Sequence, residues 1–251
     1  MADNLVTLSM TGSVAEVTFN RPEALNAFTP EILRALIAVL KEAEASARVI
    51  VLSGAGRAFS AGVDLKMLQG ATFRNGKVDD LFEGVSFAAA DAVRCAGVPV
   101  IAKVHGYCFT GALELALHAD FILTTADAKF GDTHAKWGLR PSWGMSQNLA
   151  RAVGVRRARE LSFTGATFTG ADAERWGLAN AAFPDKQTLD AETAARAAAI
   201  ADASPGAIAA YKDLYRLAEE NPPLEDALAE EQRRDYPGIT DTMKRLKGFA
   251  K

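Results

Sequence analysis

The period of the apolar positions changes several times along the chain, and each change marks an element. Residues 5–10 and 14–19 are short β-prone runs on either side of Thr11-Gly12-Ser13, a pattern that predicts a hairpin. Ile32, Leu33, Leu36, Val39 and Leu40 then recur at helical spacing behind Thr29-Pro30-Glu31, where Thr29 suits an N-cap and Pro30 the first helical position. Continuous apolar runs at residues 49–52 and 98–104 read as buried strands, each ending in a loop of small residues that opens a short helix. Between them, a polar, glycine-containing loop over residues 69–78 leads into a helix predicted from Asp79 to Cys95. Beyond Ser142 the pattern is mainly helical, over residues 143–153, 155–163, 171–176 and the alanine-rich 185–203, with turn chemistry at 164–170. Ser204-Pro205 and Asn221-Pro222-Pro223 punctuate the remainder, in which residues 224–234 and 239–248 read as terminal helices. Strands alternating with helices give an α/β class with right-handed crossovers, to which the opening hairpin adds a non-parallel element.

Composition narrows this further. A chain of 251 residues suits one compact enzyme, and the only boundary it suggests falls before the alanine-rich helix, separating residues 1–184 from a helical region at 185–251. A net charge of −3 without a basic block points away from a nucleic-acid surface. Two cysteines, Cys95 and Cys108, argue against a disulfide framework and suit a reducing cytosol. Met1-Ala2-Asp3-Asn4 lacks the charged start and apolar run of a signal peptide, and no stretch has a membrane-spanning length free of charge, so a cytoplasmic protein is expected.

Candidate chemistry gathers in the two strand-loop-helix stretches. In residues 104–120 an otherwise apolar helix carries Glu114 in its first turn. A buried carboxylate must be partnered, protonated with a raised pKa, or placed to do chemistry. Gly111 allows close backbone approach at that helix N-terminus, where free N–H groups favour an anion. Residues 54–68 repeat the pattern, with Asp64 early in the helix and Lys66 behind it, so two loops can each supply one N–H to a single oxygen. Three histidines are too few for a recognisable metal site: Glu114 and His118 stand four apart without a third ligand at metal spacing, and no metal is expected.

Four pieces occur in a characteristic order and spacing: Asn20-Arg21-Pro22-Glu23-Ala24-Leu25-Asn26-Ala27-Phe28, the loop from Phe59 to Lys66, the stretch from Gly106 to Asp120, and Thr164-Gly165 through Trp176-Gly177-Leu178-Ala179-Asn180. Together they resemble the enoyl-CoA hydratase/isomerase (crotonase) family. The resemblance implies a crotonase-type ββα spiral core with a helical C-terminal appendage, acting on an acyl-CoA thioester. It implies that the backbone N–H groups of Ala61 and Gly111 hold the thioester oxygen and that Glu114 is the main acid-base group. Substrate binding would fall to Arg21, Ala24, Ala61, Gly62, Val63, Asp64, Leu65, Lys66 and Gly111, with Met67, Leu68, Phe82 and Phe87 as acyl-pocket candidates. Coenzyme A would enter as part of the substrate, with no separate cofactor, and the terminal helices would pack across subunits of a homotrimer or hexamer.

One departure stands out. Family hydratases use two glutamates to grip one water, and His134 occupies the position of the second. Neutral imidazole does acid-base work near pH 7, so His134 can replace it, and Asp132, two residues earlier, would share its face of an extended segment and orient it or act as an acid. Hydration of a 2-enoyl-CoA leads the expectations. Double-bond isomerisation, which needs only one base, β-diketone hydrolysis, and non-catalytic acyl-CoA binding are the alternatives.

Overall fold

The computed structural model describes residues 5–78, 81, 82, 84–220 and 222–249. Val6–Thr11 (β1) and Val14–Phe19 (β2) form the expected antiparallel hairpin, turned by Gly12 at φ 59°. Alternation along β2 buries Ala15, Val17 and Phe19. The helix α1 (Pro30–Glu44) closes over them with Ile32, Leu33, Leu36 and Leu40, and Thr29 caps it by accepting from Ile32 N at 3.4 Å. The fully buried β3 (Val49–Gly54) follows, parallel to β2.

Chain order continues through α2 (Leu65–Leu68), the small hairpin β4 (Phe73–Arg74) and β5 (Lys77–Val78), α3 (Val85–Arg94), β6 (Val100–Val104), β7 (Tyr107–Phe109), α4 (Gly111–Ala116), β8 (Phe121–Thr125) and β9 (Lys129–Gly131). A 3-10 turn at His134–Trp137 precedes α5 (Met145–Val153), α6 (Val155–Thr164), β10 (Thr167–Thr169), α7 (Gly170–Arg175) and β11 (Ala181–Phe183). The chain then ends in four helices, α8 (Lys186–Asp202), α9 (Pro205–Glu220), α10 (Leu224–Arg233) and α11 (Thr242–Phe249). The main sheet has the order β1-β2-β3-β6-β8-β11 and is parallel beyond its first pair, while β10-β9-β7 forms a second, smaller sheet.

Three expectations are corrected. The loop predicted at 69–78 contains the hairpin β4–β5. The helix predicted from Asp79 begins at Val85, behind Gly84 at φ 78°, while Asp79, Asp80 and Glu83, like Met1 to Asn4 and Asn221, lie outside the described residues. Within the turn-rich 164–170 stretch, Thr167–Thr169 becomes a strand because β9 offers its edge, a tertiary pairing that overrides local composition.

One face of the main sheet carries the large core. Its other face packs through Val49, Val51, Ile101 and Leu123 against Leu189 and Ala197 of α8. Lys212 ties α9 to the core edge by bonding Asp120 Oδ2 at 2.7 Å and Val98 O at 2.8 Å. Yet α9 buries only Ala210, and α10 buries nothing. Among the described residues no helix is long and apolar enough to cross a membrane.

Candidate active site

The two small-residue loops leave adjacent parallel strands, β3 and β6, at their C-terminal ends, where open α/β sheets place ligands. They run side by side, Phe59 N donating to His105 O at 2.8 Å and Ser60 N to Tyr107 O at 3.0 Å. Gly62, at φ 88°, is required: a Cβ there would fall 2.4 Å from Phe109 O. The Ala61 N–H donates to Leu25 O at 2.9 Å, so it is not available as the oxyanion donor expected of it. Val63 is. It bridges Phe28 through bonds made by Gly62 O and Asp64 N, which leaves its own N–H without an acceptor among the described residues. Gly111 N, at the start of α4, is likewise unbonded among those residues, as first-turn N–H groups are. A Cβ built on Gly111 would stand 3.4 Å from Val63 Cγ2, so the two free donors are neighbours. Thr110 turns the chain into α4 at φ 50°, a strained conformation for a β-branched residue, held by Thr110 N to Gly131 O at 2.8 Å and by its hydroxyl against that of Thr133 at 2.6 Å.

Glu114 is 1% exposed. Its Oε1 accepts from Trp143 N at 2.9 Å and Met145 N at 3.2 Å. When the carboxyl is ionised these two bonds are charge-assisted, each worth roughly 1.5–3 kcal/mol, and offset part of a burial cost of several kcal/mol. Burial still pushes the carboxyl above its ordinary value, against the pull of His134 and the two N–H groups. The segment that grips Glu114 is itself gripped by α4 and its following turn, because His118 Nε2 lies 2.6 Å from Trp143 O.

Glu114 Oε2 faces His134 Nε2 at 3.6 Å, beyond direct hydrogen-bond range, while His134 Nδ1 lies 2.7 Å from Asp132 Oδ1. Asp132 and His134 meet as expected, although through the 3-10 turn that His134 opens and not along an extended segment. Asp132 also accepts from His134 N at 3.2 Å and from Ser162 Oγ at 2.7 Å. Burial works against its charge, but the bonds from His134 and Ser162 outweigh it and hold the carboxyl below the usual range. An ionised carboxylate only accepts, so Nδ1 carries the proton, and in the neutral ring the Nε2 lone pair is turned toward Glu114. Ser162, on α6, had no sequence signal: it lies a full helix away from Asp132 and breaks no pattern.

Glu114 and His134 line a cavity of about 420 Å³ whose apolar wall includes Val63, Leu68, Phe82, Phe87, Trp137 and Trp143. Of the other expected binding residues, Ala61 and Leu65 line it, and Gly111 adjoins it through Trp143, whose ring lies 2.9 Å from the position of a Gly111 Cβ. Arg21, Ala24, Gly62, Asp64, Lys66 and Met67 do not line it. Arg21 is committed to Asp64 Oδ2 at 2.7 Å, and Asp64 caps α2 by accepting from Lys66 N at 3.0 Å. Burial disfavours the Asp64 charge, but Arg21 and the Lys66 N–H hold its carboxyl below the usual range, as a structural pair would. Among the described residues no group of three or more His, Cys, Asp or Glu is arranged to hold a metal.

A family model described as enoyl-CoA hydratase/isomerase matches residues 9–250. The chain belongs to the enoyl-CoA hydratase/isomerase family. A probable enoyl-CoA hydratase of Rhizobium meliloti is 35% identical over 244 residues, covering 95% of this chain and 91% of the relative. The crystal structure of an enoyl-CoA hydratase from Bacillus anthracis superposes with a TM-score of 0.88 at 28% identity, covering 98% of this chain and 95% of that one. An enoyl-CoA hydratase/carnithine racemase from Magnetospirillum magneticum gives 0.87 at 28% identity, covering 98% and 92%. These neighbours establish the crotonase-type fold expected from the motifs, with its helical C-terminal region.

Proposed function

We propose that the protein hydrates 2-enoyl-CoA thioesters, or runs the reverse elimination, with His134 and Glu114 acting on one water. The observation that carries this is the opposition of Glu114 Oε2 and His134 Nε2 across 3.6 Å in the cavity wall. Water adds its oxygen to the β-carbon and gives a proton to His134 Nε2, and Glu114 in its protonated form, which burial favours, gives its proton to the α-carbon. Asp132 steadies the imidazolium that forms, and return of that proton to Glu114 resets the pair. Negative charge on the thioester oxygen meets the N–H groups of Val63 and Gly111, donors worth about 3–4 kcal/mol each at such sites. Coenzyme A comes and goes as part of the substrate, and the residues invoked need no separate cofactor.

Turnover of 2-enoyl-CoA, 3-enoyl-CoA and β-diketone substrates, with products identified by mass, tests the reading. For a hydratase, His134→Ala should cost about 10²-fold or more in kcat and His134→Glu, which restores a carboxylate pair, should regain part of it. An isomerase working through Glu114 alone would tolerate His134→Ala within roughly tenfold. A diketone hydrolase would lose activity in His134→Glu as well. Either pattern would replace the hydratase reading.

A further inference from the structure

One side chain in the cavity wall takes no part in the chemistry above. Arg140 lines the cavity together with Trp137, Leu139 and Ser142, and it is the only lysine or arginine to do so among the described residues. Other arginines of this molecule are taken up by carboxylates: Arg21 by Asp64, Arg157 by Glu160, Arg234 by Asp213. Arg140 pairs with none among the described residues, and the one hydrogen bond of its guanidinium to them is Nη1 to Pro141 O at 3.5 Å, the outer limit of such a bond. The backbone beneath it is anchored. Arg140 N donates to Gly76 O at 2.9 Å, which fastens this segment to the β4–β5 hairpin, and Gly76 and Val78 of that hairpin line the same cavity. The side chain itself is exposed, and its five N–H donors, at a cavity with aromatic and aliphatic lining, form half of a charge-assisted pair.

We infer that the cavity takes acyl groups ending in a carboxylate, with the Arg140 guanidinium bound to the distal carboxylate of a dicarboxylic acyl thioester. The inference rests on the acyl-CoA reading above and adds the class of acyl group. The planar guanidinium matches a carboxylate in a two-pronged pair, and the apolar wall formed by Leu68, Phe82 and Phe87 suits the methylene chain between the two ends. Phosphates of coenzyme A offer the same anionic oxygens. However, Arg140 shares the cavity with Glu114 and His134, the groups assigned to the acyl chemistry. The acyl carboxylate is therefore the source.

Calorimetric binding of saturated acyl-CoAs tests this without requiring turnover. Dicarboxylic thioesters are compared with monocarboxylic ones of equal chain length, across graded lengths, on wild type, Arg140→Gln and Arg140→Lys. Wild type should prefer the dicarboxylic member of the best-fitting pair by about tenfold or more, the size of a charge-assisted contact. Arg140→Gln should erase that preference, Arg140→Lys should keep part of it, and added salt should weaken it. The same acyl groups on phosphate-free pantetheine should show the same preference. A wild type that binds both series equally overturns the inference, as does an Arg140→Gln protein that keeps the preference. A loss equal for both series and absent from the pantetheine thioesters also overturns it, by assigning Arg140 to a coenzyme phosphate. Failure of every acyl-CoA to bind would sink the acyl-CoA reading itself, a result distinct from unselective binding.

Discussion

Glu114 and Asp132 are both buried carboxyl groups, yet their environments push them in opposite directions, and pH should separate them. Glu114 has its pKa raised above 4.5, so its favourable, protonated state contributes stability below that value and the contribution is lost as pH rises through the raised folded value. Glu114→Gln retains an acceptor for Trp143 N and Met145 N but never ionises. Its melting temperature should therefore gain on wild type between acid and neutral pH, while kcat falls about 10²-fold or more with acyl-CoA still bound. Parallel melting curves across that range would contradict the assignment. Asp132, lowered below 3.8, contributes above that value and loses its contribution as pH falls through the folded value, so Asp132→Asn should be less stable at neutral pH and lose its deficit in acid. Glu114 and His134 were legible in the sequence because each breaks a pattern, one a charge in an apolar helix and the other a histidine at a glutamate position. The choice between Ala61 and Val63 was not legible. Which N–H remains free depends on Leu25 and Phe28, and only the folded chain brings these beside the loop.

Among the elements, β1, β2, α1, β3 and β6 carried strong periodicity and appear where it placed them, because burial on one face leaves little freedom of register. The elements the sequence hid are β8, five residues long, and β4, β5, β7, β9, β10 and β11, none longer than three, each paired with an edge that lies beside it. One such edge matters to the site: β9 beside β7 leads straight into Asp132 and the His134 turn. At the opening of α4 the constraint is steric. An alanine at Gly111 would put a methyl carbon 2.9 Å from the Trp143 ring, which is packed against Phe28 and Phe82 at centroid distances of 6.4 Å and 5.8 Å. Gly111→Ala keeps the N–H, yet it should raise KM and cost about 1–3 kcal/mol of stability by displacing that ring. Wild-type kinetics and denaturant midpoint in this variant would show that the ring yields without cost.

Across the whole molecule the apolar surface is uneven. Tyr211 and Tyr215 stack at 6.0 Å while 58% and 66% exposed, and Leu224, Met243 and Leu246 stand 71%, 68% and 59% exposed on α10 and α11. The side chain of Phe249, also expected on this surface, lies outside the described residues. We propose that this apolar area lies at a subunit interface, and a homotrimer or a dimer of trimers is expected by light scattering at micromolar concentration. A monomer that remains monomeric at that concentration would refute it, whereas Leu224→Asp with Leu228→Asp should dissociate the assembly. A last consequence follows from the way the 143–145 segment holds Glu114. Both bonds to Oε1 come from main-chain N–H groups, while the indole of Trp143 supplies cavity wall. Acid strength and pocket shape are thus recorded in different parts of the same residue. Exchange of the indole for another apolar side chain would redraw the acyl preference while keeping the N–H that anchors Glu114, so a lineage can explore new substrates here without first surrendering its chemistry.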